Sequence, residues 1–237
     1  MERGRLVEEL VRAVGGRFST ALGIELAGGD PGEIFKWFLA SVLFGTRISE
    51  SIVIRTYREF ARRGILSCAR ILETGWGGLV EVLDAGGYVR YDEKTATKLL
   101  RIAEELQCRY HGDLTRLHEE AQGPRDLEAK LQALPGVGPV TVNIFLRELR
   151  GIWPKADPLP SDLTLLAARN LGLVRSQDRA QALAELKGAL PETGPDFADF
   201  ESALVRLAKG WCRKGRHKGC PMEGLCPSSG RSITKEG

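Results

Sequence analysis

Two glycines between two helical patterns are the first residues in this sequence whose types and spacing could do chemistry. Gly136 and Gly138 lie in the segment LPGVGPV, residues 134–140. Apolar residues recur at helical spacing before it, and Pro139 suits the first position of a following helix, where its missing N–H costs nothing. Main-chain N–H groups at a helix N-terminus attract anions. The segment therefore predicts a phosphate-binding turn, with an ordinary helix-to-helix turn as the alternative.

A carboxylate follows this turn at a distance of about two dozen residues. Asp162 begins a helical pattern that Gly172 can end, and Asp157 is its competitor in the same proline-rich segment. A fixed carboxylate can stabilise an oxocarbenium-like transition state, and it can orient or deprotonate an attacking water. The alternative is that Asp162 only caps its helix. The helix start favours Asp162 over Asp157.

Sulfur and imidazole ligands cluster near the C-terminus. The cluster consists of Cys212, His217, Cys220 and Cys226. Thiolates and imidazole bind soft and borderline metals, so this spacing indicates a metal site. Cys68 and Cys108 lie far apart within helical patterns, and we expect both to be buried thiols.

The turn and the Asp162 segment together resemble the helix-hairpin-helix DNA glycosylase superfamily, which includes endonuclease III and the alkyladenine glycosylases. The sequence LPSDL, residues 159–163, is similar to the alkyladenine-glycosylase form of the catalytic segment. The resemblance extends over about residues 33–226. It implies an all-α, two-lobed fold that binds double-stranded DNA containing a damaged or mismatched base. It also implies that Asp162 is catalytic and that the DNA backbone is bound at Gly136, Val137, Gly138, Val140 and Thr141.

One position departs from the bifunctional branch of that superfamily. There, a lysine in the second hairpin helix attacks the sugar as an amine nucleophile. Val140 occupies the matching position here, and residues 136–150 contain no lysine. The departure predicts a monofunctional DNA N-glycosylase without lyase activity. A bifunctional glycosylase and AP lyase that uses another lysine, and a non-catalytic helix-hairpin-helix DNA-binding protein, are the alternatives.

The resemblance also assigns candidates for base extrusion. Arg47 and Arg90 lie where relatives fill the gap left by the extruded base, and plain surface arginines are the alternative. Trp37, Tyr88 and Tyr91 could line a base pocket, but we favour a core position for such aromatic residues. Uracil or thymine in a mismatch, an oxidised base and an alkylated purine are all compatible substrates.

Endonuclease III relatives carry a four-cysteine 4Fe–4S site near the C-terminus, spaced C-x6-C-x2-C-x5-C. This chain keeps the last spacing, between Cys220 and Cys226. His217 stands where the second cysteine would be, and the gap after Cys212 is shorter. A 4Fe–4S cluster, a Cys3His zinc site and a remnant that binds neither all remain open.

Positive charge concentrates in the same stretch. No acidic residue interrupts a basic run made of Arg206, Lys209, Arg213, Lys214, Arg216 and Lys218. Beside a metal-closed loop, Arg213 and Lys214 are predicted DNA contacts, with solvated surface as the alternative. The whole chain is no polycation, because its net charge is only +3.

The remaining elements read as helices throughout, since no segment alternates apolar and polar residues cleanly. The resemblance implies that residues 1–31 form an N-terminal helix that packs with the C-terminal lobe. Residues 32–149 should form a helical lobe carrying the hairpin at 125–149. Residues 150–237 should form the C-terminal lobe, which includes the Cys-rich loop at 212–226.

Composition fits a globular protein, since 43% of the 237 residues are hydrophobic and 27% are charged. No apolar run is long enough to span a bilayer, and the first residues lack the apolar core of a secretory signal. We expect an intracellular, nucleoid-associated monomer that does not bind membranes.

Overall fold

The computed structural model describes residues 3–230, and all regular structure in that range is helical. The helices are α1 (Arg3–Val14), α2 (Phe18–Ala21), α3 (Pro31–Phe44), α4 (Glu50–Arg62), α5 (Cys68–Gly86), α6 (Asp92–Tyr110), α7 (Leu114–Glu120), α8 (Pro124–Gln132), α9 (Pro139–Glu148), α10 (Asp162–Asn170), α11 (Arg179–Lys187) and α12 (Phe197–Gly210). Short 3-10 turns cover Cys212–Lys214 and Pro227–Gly230. The predicted all-α class is confirmed for this part of the chain.

The chain divides into two compact units. The discontinuous unit combines residues up to Phe18 with those from Leu159 onward, and the central unit is Ser19–Pro158. Helices α3 to α9 lie in the central unit, whereas α1, α10, α11 and α12 lie in the discontinuous one. Within residues 3–230, no helix combines the length and the apolar character needed to cross a bilayer.

Helix α3 is the buried centre of the central unit. Its side chains are apolar on nearly every face, and Ile34, Trp37 and Phe38 are almost fully buried. The Trp37 indole Nε1 donates to the carbonyl of Phe145 on α9 at 3.0 Å. The Phe38 and Phe145 rings meet edge to face with 5.2 Å between centroids. Since α9 is the second hairpin helix, α3 fixes the helix on which the predicted phosphate site depends.

Helix α5 is interrupted rather than continuous. Gly75 has φ of +66° and ψ of 174°, values that glycine adopts without a Cβ penalty. The break divides α5 into a segment before Gly75 and a segment after it. Trp76 follows the break and is half exposed, with its Nε1 donating to Thr97 Oγ1 at 3.1 Å.

The discontinuous unit has its own apolar core, formed where α1 packs on α12 and α12 packs on α10. Leu6, Val7 and Leu10 contribute the buried face of α1. Leu165 of α10 and Phe200 of α12 belong to the same cluster. This core supports α10, the helix that begins at Asp162.

Candidate functional site

The hairpin turn follows from its proline and glycines. The Val137 N–H donates to the Leu134 carbonyl at 3.1 Å, and Gly136, with φ of +72°, stands at the third position. A type II turn requires a positive φ at the third position, which glycine adopts, and proline is common at the second. Gly138 then caps α9 without a side chain, and Pro139 is the first residue of that helix. Sequence chemistry therefore accounts for the whole turn.

Unpaired main-chain donors collect at this turn. Among the described residues, no protein acceptor takes the N–H groups of Gly136, Gly138, Val140 or Thr141. The first amides of a helix have no partner within the helix, and they carry partial positive charge. An anion seated here would therefore accept several hydrogen bonds.

At two of the predicted hairpin contacts, the side chain is not available to a ligand. The side chains of Val137 and Thr141 are buried, so neither can reach a ligand. Thr141 packs so closely on Gly45 that a Cβ at position 45 would lie 2.1 Å from Thr141 Oγ1. The Val137 N–H is also already bonded to Leu134. Val137 thus shapes the turn instead of offering a donor.

Lys98 is a basic residue beside the turn that sequence reasoning missed. A Cβ added to Gly136 would lie 2.9 Å from Lys98 Cδ, so the lysine stem crosses the turn at its glycine. Burial lowers the pKa of the Lys98 ammonium. No ion pair involves Lys98 within residues 3–230. The position of Lys98 beside the turn depends on how α6 packs in the fold, which the spacing of residues along α6 does not reveal.

Asp162 is the first residue of α10 but not its cap. Ser161 occupies the cap position, and its hydroxyl accepts a hydrogen bond from the Thr164 N–H at 3.1 Å. The alternative in which Asp162 merely caps the helix is therefore wrong. The Asp162 side chain is 89% exposed, so its carboxylate is available to a ligand.

Arg179 is the residue that holds the Asp162 carboxylate. Its Nη2 forms an ion pair with Asp162 Oδ1, while its Nη1 donates to the Pro160 carbonyl at 2.8 Å. Asp178 caps α11 by accepting from the Gln181 N–H, which places Arg179 at the first position of that helix.

The competing carboxylate, Asp157, has a different environment. It forms an ion pair with Arg150, a residue of the same unit whose guanidinium is nearly buried. Arg150 also donates to the Pro158 carbonyl. Removing the Asp157 carboxylate would take a charged partner from a nearly buried guanidinium, so this pair helps to hold the end of the central unit together.

The candidates for base extrusion lie at the surface, whereas two of the candidates for a base pocket lie in the core. Arg47 and Arg90 are exposed, and the Arg90 guanidinium lies 5.4 Å from the Tyr91 ring centroid. Trp37 and Tyr88 are buried, and the Tyr88 hydroxyl donates to the Leu43 carbonyl at 2.8 Å. Both of these aromatic residues are core residues, as favoured above.

The C-terminal ligands line one small cavity. Cys212, His217, Cys220 and Cys226 all face it, together with Asn170. The Cys226 thiol donates to the Asn170 carbonyl at 3.2 Å, and burial raises the pKa of Cys212 and of Cys220. In residues 3–230, no three His, Cys, Asp or Glu side chains already have the arrangement of a metal-ion site. The donor types fit zinc or an iron–sulfur cluster, and binding would require the four donors to converge.

The two isolated cysteines differ from each other. Cys68 is buried, and burial raises its pKa to about 12. Cys108 is exposed on α6, so the expectation of a second buried thiol is wrong. Successive residues of an α-helix point about 100° apart, so a position one or two residues away from the buried face already lies on the exposed side.

The basic run also separates into two groups. Arg213, Lys214, Arg216 and Lys218 are exposed. Arg206 instead donates to the Gly16 carbonyl at 2.9 Å and lies 3.9 Å from the Phe18 ring centroid. Lys209 lies 5.6 Å from the same ring. Within this run, the exposed charge is therefore limited to the four residues after α12.

Compared with known proteins, the chain matches no protein-family model and no curated protein sequence. Function has to be inferred from the residues and their geometry.

Proposed function

We propose that this protein is a monofunctional DNA N-glycosylase of base-excision repair, built on the two-lobed helix-hairpin-helix plan. One observation carries the proposal: Asp162 begins α10 with an exposed carboxylate, while Ser161 does the capping. A carboxylate that is neither buried nor used as a cap stabilises the fold only modestly, through a surface ion pair and through its place in the first turn of the helix.

The hairpin turn is the proposed backbone contact. The unpaired N–H groups at Gly138, Val140 and Thr141 suit a phosphate oxygen, and Lys98 adds positive charge beside Gly136. Contacts of this kind fix the position of a protein on DNA without reading its sequence. Exposed Arg213 and Lys214 are the proposed second contact, and Arg47 and Arg90 are the candidates for filling the extruded-base gap.

Asp162 is the proposed catalytic group. Breaking an N-glycosidic bond leaves positive charge on the deoxyribose, and a fixed anion beside the sugar lowers the energy of that state. The same carboxylate can take the proton of the attacking water. The bond between C1′ and the base nitrogen breaks with its electron pair going to the base, and a bond between C1′ and the water oxygen forms. Asp162 returns the proton of the water to solvent, and the departing base nitrogen takes up a proton from solvent.

The C-terminal loop is the proposed metal-binding element. Cys212, His217, Cys220 and Cys226 would hold a 4Fe–4S cluster, with zinc as the alternative group for the same donors. The bound group would supply a cross-link that closes the loop, and the base-release step requires no redox chemistry from it.

The test is base release from a panel of duplexes that each contain one lesion. On whichever lesion is excised, Asp162→Asn should abolish release while duplex affinity stays within about tenfold, or about 1.4 kcal/mol. The reason is that Asp162 acts on transition-state charge and does not bind phosphate. Gel-based product assays and fluorescence anisotropy measure the two quantities.

Asp157→Asn is the discriminating control. It removes a carboxylate that pairs with Arg150, so it should lower the melting temperature but leave release measurable below that temperature. A dead Asp157→Asn variant together with an active Asp162→Asn variant would contradict the assignment. A wild-type protein that binds duplexes but excises none of the lesions would be a non-catalytic DNA-binding protein.

A further inference from the structure

Arg179 contacts both ends of the short segment that leads into α10. Its Nη1 donates to the Pro160 carbonyl at 2.8 Å, and its Nη2 pairs with Asp162 Oδ1. The carbonyl contact anchors the guanidinium whether or not the carboxylate is charged. The Arg179 guanidinium therefore links the backbone before α10 to the carboxylate of Asp162, the first residue of α10.

The pairing uses only one carboxylate oxygen. Within the described part of the chain, Asp162 Oδ2 accepts no hydrogen bond. An aspartate side chain that is 89% exposed would otherwise sample several rotamers. With Oδ1 paired to arginine, the number of rotamers open to the carboxylate is reduced, and Oδ2 is the oxygen left for a water or a sugar.

Stability alone does not explain this contact. Both partners are exposed, and exposed ion pairs contribute little because water screens them and because ordering two side chains is unfavourable. Arginine nevertheless restricts the geometry of a carboxylate better than lysine does, since its planar fork makes two contacts in fixed directions.

We propose that Arg179 is a positioning residue for Asp162: it holds Oδ1 so that Oδ2 faces the attacking water and the sugar. This inference rests on the proposed glycosylase function. Arg179 does not touch substrate in this assignment and acts only through the carboxylate. Catalysis depends on such orientation because small misplacements of a reacting group cost much of the rate.

The test uses single-turnover base release and duplex binding with Arg179→Ala, Arg179→Lys and the control Arg169→Ala. Arg169 is a matched exposed arginine that donates to the Ser176 carbonyl at 3.2 Å. Arg179→Ala should slow release by about tenfold or more, with duplex affinity within about threefold of wild type. Arg179→Lys should recover part of the loss, because lysine restores one of the two contacts.

A second readout separates positioning from simple structural support. Guanidinium added at millimolar concentration should accelerate the Arg179→Ala variant, because the free cation can occupy the place beside Oδ1. It should not accelerate Asp162→Asn, which lacks the carboxylate, or Arg169→Ala. Melting temperatures of all variants show whether any has lost its fold.

Several outcomes would overturn the inference. An Arg179→Ala variant that releases base as fast as wild type would mean that Arg179 does not position the carboxylate. A variant that releases base faster than wild type would mean that Arg179 restrains the Asp162 carboxylate in an unproductive orientation. A loss confined to duplex affinity would make Arg179 a DNA contact. Wild-type protein without base release on any lesion would instead overturn the proposed function, so the two failures are distinguishable.

Discussion

Val140 stands in the first turn of α9 with its side chain 61% exposed, next to the unpaired amides of the hairpin. An isopropyl group cannot form a Schiff base with an abasic sugar. We therefore expect product DNA to carry intact abasic sites that break only after alkali or heat. Denaturing gels of untreated and alkali-treated product measure this.

Borohydride trapping on DNA with a preformed abasic site is the sharper form of that test. A covalent adduct would contradict the prediction, because only an amine nucleophile forms a reducible Schiff base. Lys98 would then be the first lysine to test, since its stem lies on Gly136. Lys94→Ala, an exposed lysine on the same helix, is the matched control for Lys98→Ala.

Single residues also show which parts of the site the sequence can predict. Type and spacing were sufficient to single out Gly136 and Asp162, because a type II turn and a helix start are local features. They could not separate Asp162 from Asp157 by environment, since the pairing of Asp157 with nearly buried Arg150 depends on burial. They also missed Arg179 and Lys98, whose contacts come from neighbouring helices.

The ends and breaks of helices were easier to predict than which of their side chains are buried. The break of α5 near Gly75 and the start of α9 at Pro139 both follow from glycine and proline chemistry. The exposed position of Cys108 does not, because the sequence does not determine how far the buried face of α6 extends. The same limit applies to Arg206, which the sequence places in a charged run and the fold places against Phe18.

The C-terminal loop is the element whose stability should depend on metal. With an iron–sulfur cluster, protein purified without oxygen should be yellow-brown and contain iron and sulfide. With zinc it should be colourless and contain about one zinc per chain, because zinc is d10. In either case Cys220→Ser should lower both the melting temperature and the DNA affinity, since the loop presents Arg213 and Lys214.

Cys108→Ser is the control for that experiment, because Cys108 is exposed and lies outside the loop. It should leave metal content and melting temperature unchanged. Colourless, metal-free wild-type protein whose stability is the same in Cys220→Ser would identify the loop as a remnant. The raised pKa of Cys212 and of Cys220 adds a pH dependence, since a metal must displace protons that bind more tightly than usual. Metal binding should therefore weaken as pH falls.

At the scale of the whole molecule, the first and last parts of the chain form one discontinuous unit. Residues 3–18 belong with those from 159 onward, and the segment between them forms the central unit. Leu10, fully buried on α1, packs in the cluster that includes Leu165 of α10 and Phe200 of α12. The helix that carries Asp162 therefore depends on a segment that precedes it by most of the chain.

We expect Leu10→Ala to lower the free energy of unfolding by about 2–5 kcal/mol, because it removes buried methyl groups and leaves a cavity. Hydrogen exchange should show lost protection in α10 and α12, and base release should fail at a lower temperature than in wild type. Arg12→Ala is the control on the same helix, since Arg12 is exposed and forms a surface ion pair with Glu9. If Leu10→Ala left protection in α10 unchanged, α1 would be an appendage of the discontinuous unit and Asp162 would be held by α11 and α12 alone.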